Sequence, residues 1–418
     1  MKPFIIAEIG VNHNGSIELA KKLILEAYIS GADAVKFQTF KSESVVSKNT
    51  SLAEYQKNFS EEKDQYDLIK KLELSKTDFI YLKKYCDVIG IEFLSTPFDE
   101  DSLNFLIKDL GVKKIKLSSC DLTNISLLWK ASTFNIPLII STGMSTIDDI
   151  EIALSIIIHA RKVKKYPKDL NDCLRFYIED DSYKEYLKDV SLLHCSTAYP
   201  CPIEYINLNA MVTLKKKFNL SVGYSDHSIG KEVCVAATSL GASILEKHFT
   251  LNVDMQGPDH QASMEPKDFS EMVKSIRMTE KALGSSEKYI NEVEIENCQI
   301  AKRSVFARRK IKKGNLIQYD DLIALRPEIK EAIPAKNFFD ILGKKSELFK
   351  KYRVKQINSN SLDLITRKRS SKLIHNELWK IDNDCDKKKT SDDELEEEHY
   401  INYHKDFVKL KKDFNNVS

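Results

Sequence analysis

The chain has no Cys-x-x-Cys pair among its eight cysteines, which removes the usual zinc-knuckle and redox-dithiol arrangements. Several of these thiols, Cys195 and Cys234 among them, lie in apolar runs and read as small core residues. That usage fits a reduced, cytoplasmic setting. No stretch is long enough and apolar enough to span a membrane. The opening MKPFIIAEIGVNHNG holds an apolar run too short for a secretion signal, and Glu8 soon interrupts it. Nor is one sign of charge in excess: the formal net charge is +2, so neither nucleic acid nor an anionic membrane is expected as a partner. Hydrophobic residues make up 42% and charged residues 30% of 418 positions, which predicts a soluble globular chain with room for a large domain and smaller ones.

What is present is a recurrence of short apolar, β-rich runs with helical patterning between them. They are Phe4–Ala7, Ala34–Phe37, Ile91–Leu94, Lys114–Leu117, Pro137–Ile140, Ser191–His194, Leu220–Tyr224 and Ala242–Leu245. Eight strand candidates within about 250 residues is the size of a (β/α)8 barrel. The spacer Ile17–Ile24 shows the helical period, and Gly31 marks a turn before the second run. Arg161 to Lys188, charged and helical in places, reads as an elaborated connection between the fifth helix and the sixth strand.

The strand ends carry the chemistry. The first ends at Glu8; the second carries Lys36 and Gln38; the third runs into Thr96. The fourth carries Lys116 and Ser119 with Asp121 beyond, the fifth ends at Ser141, and the sixth runs into Thr197 and Tyr199. A lone Lys36 is ordinarily a solvated or paired lysine. A polar group at the end of every one of eight strands is harder to explain that way, because catalytic groups in parallel α/β folds gather at this rim. In Ser221–His260 the chain runs strand, helix, strand, and the two strands end in Asp226-His227 and Lys247-His248. Two neutral imidazoles at neighbouring strand ends can hold a divalent metal, and Asp259 can reach the same mouth. His194 reads as a core histidine, His13 as loop-ordering or catalytic, and His260 as exposed.

Lys267–Leu283 reads as a helix, followed by a polar linker around Gly284–Glu287. A second unit of about 55 residues follows, with a strand at Ser304–Ala307, a turn at Ile311–Asn315 and a further strand near Leu322–Leu325; its core is marginal alone. From Tyr352 onward, runs such as Lys387–Lys389 and Glu396–Glu398 with sparse apolar residues predict a disordered tail, with at most a weak helix near Phe407–Leu410. The expected domains are thus 1–284, 285–350 and 351–418.

The ordered stretches AEIGVNHNGS from Ala7, GADAVKFQTF from Gly31, FLSTPFDE from Phe93, IISTGMST from Ile139, LLHCSTAYPCP from Leu192, VGYSDHS from Val222, EKHFTL from Glu246 and GPDH from Gly257 resemble the sialic acid synthase family. KRSVFARRKIKKG from Lys302 resembles the small antifreeze-like (SAF, β-clip) domain that follows the barrel there. The resemblance implies an enzyme that condenses phosphoenolpyruvate with an N-acetylated amino sugar, forming a C–C bond and releasing phosphate by C–O cleavage. It implies Mn2+ or Mg2+ on His227 and His248, polarising the sugar's aldehyde. It places phosphoenolpyruvate on Lys36, Thr96, Lys116, Ser119, Ser141, Thr197 and Ser225, and the sugar on Gln38, Tyr199, Asp259 and Arg303. It gives Glu8, Asp121 and Glu246 catalytic roles, Glu246 being equally readable as a partner for a barrel lysine. Arg303 is supplied by the other subunit in that family, so a domain-swapped homodimer is implied. N-acetylmannosamine is the expected sugar, giving N-acetylneuraminate. The alternative is a 2,4-diacetamido-2,4,6-trideoxymannose, giving a legionaminate, and a barrel scaffold without turnover is the third reading. Cys120 departs from the family, where a small residue is usual, and its thiol would crowd the anion pocket.

Overall fold

The computed structural model describes residues 2–47, 50–51, 64–179, 184–329 and 332–346. The expected tail, with the short helix near Phe407, lies outside these residues, as do Asp180 and Asp181 of the charged Arg161–Lys188 connection. The chain divides into two compact units, Met1–Ser285 and a second that begins at Ser286.

The first unit is built on eight parallel strands: β1 (Phe4–Gly10), β2 (Ala34–Thr39), β3 (Glu92–Pro97), β4 (Ile115–Leu117), β5 (Leu138–Ser141), β6 (Val190–Cys195), β7 (Ser221–Asp226) and β8 (Ile244–His248). Their ladder runs β3-β2-β1-β8-β7-β6-β5-β4. The two end strands, β3 and β4, return against each other, so the sheet curls into a nearly closed (β/α)8 barrel.

Successive side chains on a strand point to opposite faces, and here that alternation separates packing from chemistry. Ile6, Ala34, Leu94, Ile139, Leu193 and Ile244, one from each of six strands, form a buried cluster inside the barrel. Two residues further along the same strands stand Glu8, Lys36, Thr96, Ser141, Cys195 and Glu246, which line a cavity at the C-terminal ends. The residues of opposite alternation, such as Ile5, Ala7, Val35, Phe93, Ile140 and Leu192, join the main core beneath the helices. Each large apolar side chain buried there stabilises the fold by roughly 1.5–3 kcal/mol. On β7 the apolar level is occupied by Gly223. A Cβ there would lie 2.4 Å from the Ile244 carbonyl oxygen and 2.6 Å from Leu193 Cδ2, so glycine is what lets β7 close on β8.

The helices begin where the sequence offers a cap. Ser16 accepts from the Leu19 N–H at the start of Ile17–Ile29, which buries Ala20, Leu23, Ile24 and Ala27 along one stripe. Capping boxes start Lys76–Ile89 (Ser75 with Asp78) and Ile147–Val163 (Thr146 with Asp149). The boundary expected at Arg161 is corrected. Arg161 belongs to the helix Ile147–Val163 and is buried. Its guanidinium pairs with Asp189 and donates to the carbonyls of Tyr186 and Ile136 at 2.6 and 2.7 Å. This charge sits inside because it ties the extension, with its helix Leu170–Glu179, back to the barrel.

In the second unit, β9 (Ser304–Ala307) and β10 (Leu322–Leu325) pair antiparallel. Val305, Ile317, Leu322, Ile333 and Ile341 make its core. The helix Glu292–Ala301 falls where the sequence reading places a linker and the start of the unit. An Asn291–Glu294 capping box starts it.

Candidate active site

A cavity of about 400 Å³ opens at the C-terminal ends of the strands. Glu8, Lys36, Gln38, Thr96, Lys116, Ser119, Ser141, Thr197, Tyr199, Ser225, His227, Glu246, His248 and Asp259 all line it. Strand register sets their level: β1 pairs Glu8 with Lys36 of β2 on one side and with His248 of β8 on the other.

The floor is a charge network. Lys36 Nζ lies 2.7 Å from Glu8 Oε2 and 3.8 Å from Glu246 Oε2, and donates to Thr96 Oγ1 at 3.1 Å. Lys116 Nζ lies 3.8 Å from Glu246 Oε1 and donates to the Leu117 carbonyl at 3.0 Å. Glu246 also accepts from Ser225 Oγ at 2.9 Å, so it pairs with both barrel lysines. Burial pushes the Glu8 carboxyl up to about 7; Lys36 opposes this and Glu246 adds to it. Burial acts on Glu246 too, but Lys116, Lys36 and the Ser225 bond together hold it at about 2. Burial lowers the Lys116 ammonium despite Glu246, and raises Asp259 to about 6. Ser141 Oγ, Thr197 Oγ1 and Glu246 Oε2 are buried with no hydrogen-bond partner. Buried polar atoms are ordinarily satisfied, and two lysines with unspent hydroxyls on one wall are chemically suited to a compact anion.

His227 and His248 stand side by side, ring centroids 5.5 Å apart, with the Tyr199 ring 4.3 and 5.8 Å from them. His227 Nδ1 donates to the Ser196 carbonyl at 2.7 Å, which leaves Nε2 as a lone-pair donor. Burial pushes both imidazoles down, His248 far down, with the neighbouring His227 and Lys36 adding to the effect there. Both rings are therefore neutral near pH 7, as metal ligands must be. His248 Nδ1 is buried without a hydrogen bond and lies 3.8 Å from Asp259 Oδ2. Among the described residues no cluster of three or more His, Cys, Asp or Glu is placed to hold a metal ion. The donor set fits a divalent ion held by two imidazoles with its other positions open.

The opposite wall is apolar. Val11, Phe40, Leu68 and Leu72 form a buried cluster, with Ile69 and Phe98 against it; all six line the cavity with Val45. Helices Ser42–Val45 and Gln65–Leu72, both in the β2–β3 connection, present this wall. Glu73 anchors it by accepting from Lys41 Nζ and from the N–H and hydroxyl of Ser42. Burial opposes its charge, but these donors hold it down to about 2. Sequence reasoning missed the wall, although Leu68, Ile69 and Leu72 already show helical apolar spacing.

One expected residue does not line the cavity, and another belongs to the other unit. Asp121 sits in the short turn Ser119–Asp121, where it accepts from Ser118 Oγ and Asn124 Nδ2; it does not line the cavity. Arg303 belongs to the second unit, is exposed, and donates to the Ala324 carbonyl at 3.2 Å. Cys120 lines the cavity and is exposed. Cys195 is buried, yet it also faces the cavity and bonds Ser119 Oγ at 3.0 Å. The expectation that His260 is exposed is corrected. The loop after β8 folds onto the loop after β1, burying His260 between Thr250 Oγ1 at 2.7 Å and Asn14 Oδ1 at 3.3 Å. His194 is half-buried against the Ile206 carbonyl, and His13 Nδ1 accepts from the Gly15 N–H, ordering its loop.

Gly143 brings the β5 loop close to this floor. A Cβ there would lie 2.3 Å from Thr197 Oγ1, 2.8 Å from Cys195 Sγ and 2.9 Å from Ser119 Oγ. The Gly143→Ala variant is expected to stay folded and to weaken anion binding by at least about tenfold, because three lining groups must move. Titration calorimetry on both proteins checks this; equal affinities would refute the tight approach.

The NeuB family model matches residues 23–288. The chain is 44% identical over 328 residues, 78% of this chain and 86% of the relative, to the N,N'-diacetyllegionaminic acid synthase of Legionella pneumophila. It is 40% identical to the Campylobacter jejuni protein of the same name, covering 82% of this chain and 95% of that one. The crystal structure of N-acetylneuraminic acid synthetase from Leptospira borgpetersenii superposes with a TM-score of 0.58 at 35% identity, covering 71% of this chain and 90% of that one. A charged, partly unsatisfied cavity at a barrel's C-terminal mouth and this degree of likeness lead to one conclusion: the chain belongs to the NeuB family and is an enzyme of the nonulosonic acid synthase type.

Proposed function

We propose that this enzyme condenses phosphoenolpyruvate with a 2,4-diacetamido-2,4,6-trideoxymannose to give a legionaminate. The carrying observation is the cavity's two-sided lining: a lysine- and hydroxyl-rich floor faces an apolar wall of Phe40, Leu68, Leu72 and Phe98. The floor suits the phosphate and carboxylate. The wall suits a sugar with a methyl group at its far end and a second acetamido methyl. N-acetylmannosamine, with a hydroxymethyl group in that place, would leave a hydroxyl against hydrocarbon, at a cost of roughly 1–3 kcal/mol. Two relatives named for diacetyllegionaminic acid, at 44% and 40% identity, support the same choice. The expected order of the two sugars is thereby reversed.

In this reading Lys36 and Lys116 hold the anion, with Thr96, Ser119, Ser141, Thr197 and Ser225 donating to its oxygens. Gln38, Tyr199 and Asp259 meet the sugar. Mn2+ or Mg2+ on His227 and His248 would supply Lewis-acid polarisation of the aldehyde. The enol carbon of phosphoenolpyruvate bonds to the aldehyde carbon, water adds to the phosphate-bearing carbon, and phosphate leaves with the C–O electron pair. The water gives up two protons as the ketone forms: one leaves with the phosphate, and the new sugar alkoxide takes the other. Glu8, pushed to about 7, is matched to carrying it at neutral pH. A homodimer is part of the reading.

N-acetylmannosamine remains the second reading, favoured by the Leptospira likeness at 35% identity. Phosphate release from phosphoenolpyruvate with Mn2+ decides between them. Faster release with the diacetamido sugar supports the proposal, faster release with N-acetylmannosamine overturns the sugar, and release with neither overturns both in favour of a scaffold.

A further inference from the structure

Behind the two imidazoles, on the helix side of the barrel wall, lies a closed ring of buried polar groups. Asp226 and Lys247 are register partners on β7 and β8. They precede His227 and His248, so alternation turns them away from the cavity. Lys247 Nζ lies 2.7 Å from Asp226 Oδ2 and also donates to the Ser228 carbonyl. The other carboxylate oxygen accepts from the Ser228 N–H at 2.9 Å and its hydroxyl at 2.7 Å. Cys234, on the outer helix Glu232–Ser239, donates its S–H to Oδ2 at 3.3 Å. Asp226 is 0% and Lys247 2% exposed.

We infer that Asp226, Ser228 and Lys247 are positioning residues that set the spacing of His227 and His248 for a divalent cation. The ring bonds the residues on either side of His227 to each other, and one of its members is the residue before His248. It thus fixes the backbone of one imidazole and ties it across the strands to the other. A pair of ligands in open coordination has no third side chain to correct an error in spacing, and metal sites need geometry held to about half an ångström. Supporting groups of this kind typically govern 10–100-fold in metal affinity. The inference rests on the metal reading of the two histidines.

Removing Lys247 alone would leave a buried, unpaired carboxylate and endanger folding. The test therefore uses the neutral double variant Asp226→Asn/Lys247→Gln and the milder Ser228→Ala. Paramagnetic resonance of free Mn2+ measures metal binding by the whole chain, phosphoenolpyruvate KM is measured at saturating Mn2+, and melting reports the fold. The expected result is about tenfold weaker Mn2+ binding in the double variant, a few-fold loss in Ser228→Ala, and an unchanged phosphoenolpyruvate KM with turnover recovered at high Mn2+. Unchanged Mn2+ affinity with a lowered melting temperature would overturn the inference, leaving a purely structural ring. If the double variant does not fold, Ser228→Ala decides by the same reading. Wild-type protein that takes up no Mn2+ removes the metal reading itself and the inference with it.

Discussion

Replacing Lys116 with methionine is expected to lower kcat/KM for phosphate release by about a thousandfold, or roughly 4 kcal/mol. The two floor lysines are not equivalent. Lys36 has Glu8 at 2.7 Å, a committed partner. Among the described residues Lys116 has its nearest carboxylate at 3.8 Å and hydrogen-bonds only a carbonyl, so more of its charge is available to an incoming anion. It is 3% exposed, where little water screens that attraction. Truncating one partner of a buried charge pair costs about 2–5 kcal/mol, and a bound phosphoenolpyruvate would be the partner lost. Steady-state phosphate release with circular dichroism as a fold check measures the effect. A folded variant within tenfold of wild type would place the anion elsewhere.

Chelation should be equally severe. Dialysis against EDTA is expected to reduce turnover at least a hundredfold, Mn2+ should restore it, and His248→Ala should not recover at any practical Mn2+ concentration. The reason is the donor set: two neutral imidazoles with no third protein ligand grouped beside them among the described residues. Losing one halves the number of imidazoles on the ion and leaves a single-point anchor at His227. Full activity after chelation would refute the metal while leaving the anion floor intact.

The barrel was legible because its strands are apolar runs separated by helical spacing, and the polar rim was legible because it recurs. The limits were physical. The apolar runs alone stop at Ala7, Tyr224 and Leu245; the polar strand ends read onto Glu8, His227 and His248 fall at or within one or two residues of the observed ends, Gly10, Asp226 and His248. A parallel strand keeps its ladder while its side chains turn polar, because those chains face a cavity and not solvent. His260 was misjudged for a related reason: loop polarity does not show that two loops bury one another. The Phe40–Leu72–Phe98 wall comes from three separate segments, and periodicity within one segment cannot reveal that they converge. The helix at Glu292 had a readable signal, the Asn291-x-x-Glu294 box, which the apolar pattern around it did not reinforce.

The strand order has one more consequence. It begins at β3 and ends at β4, and among the described residues no ladder joins those two. Thr96 lies on β3, and Lys116 lies on β4, which is only three residues long. The anion floor therefore straddles the slit in the cylinder. A ligand bridging the two would act like a rivet across a split collar, tightening the whole hoop from a point inside it. On the proposed binding mode, the barrel's hoop strength would belong to the protein and its ligand together.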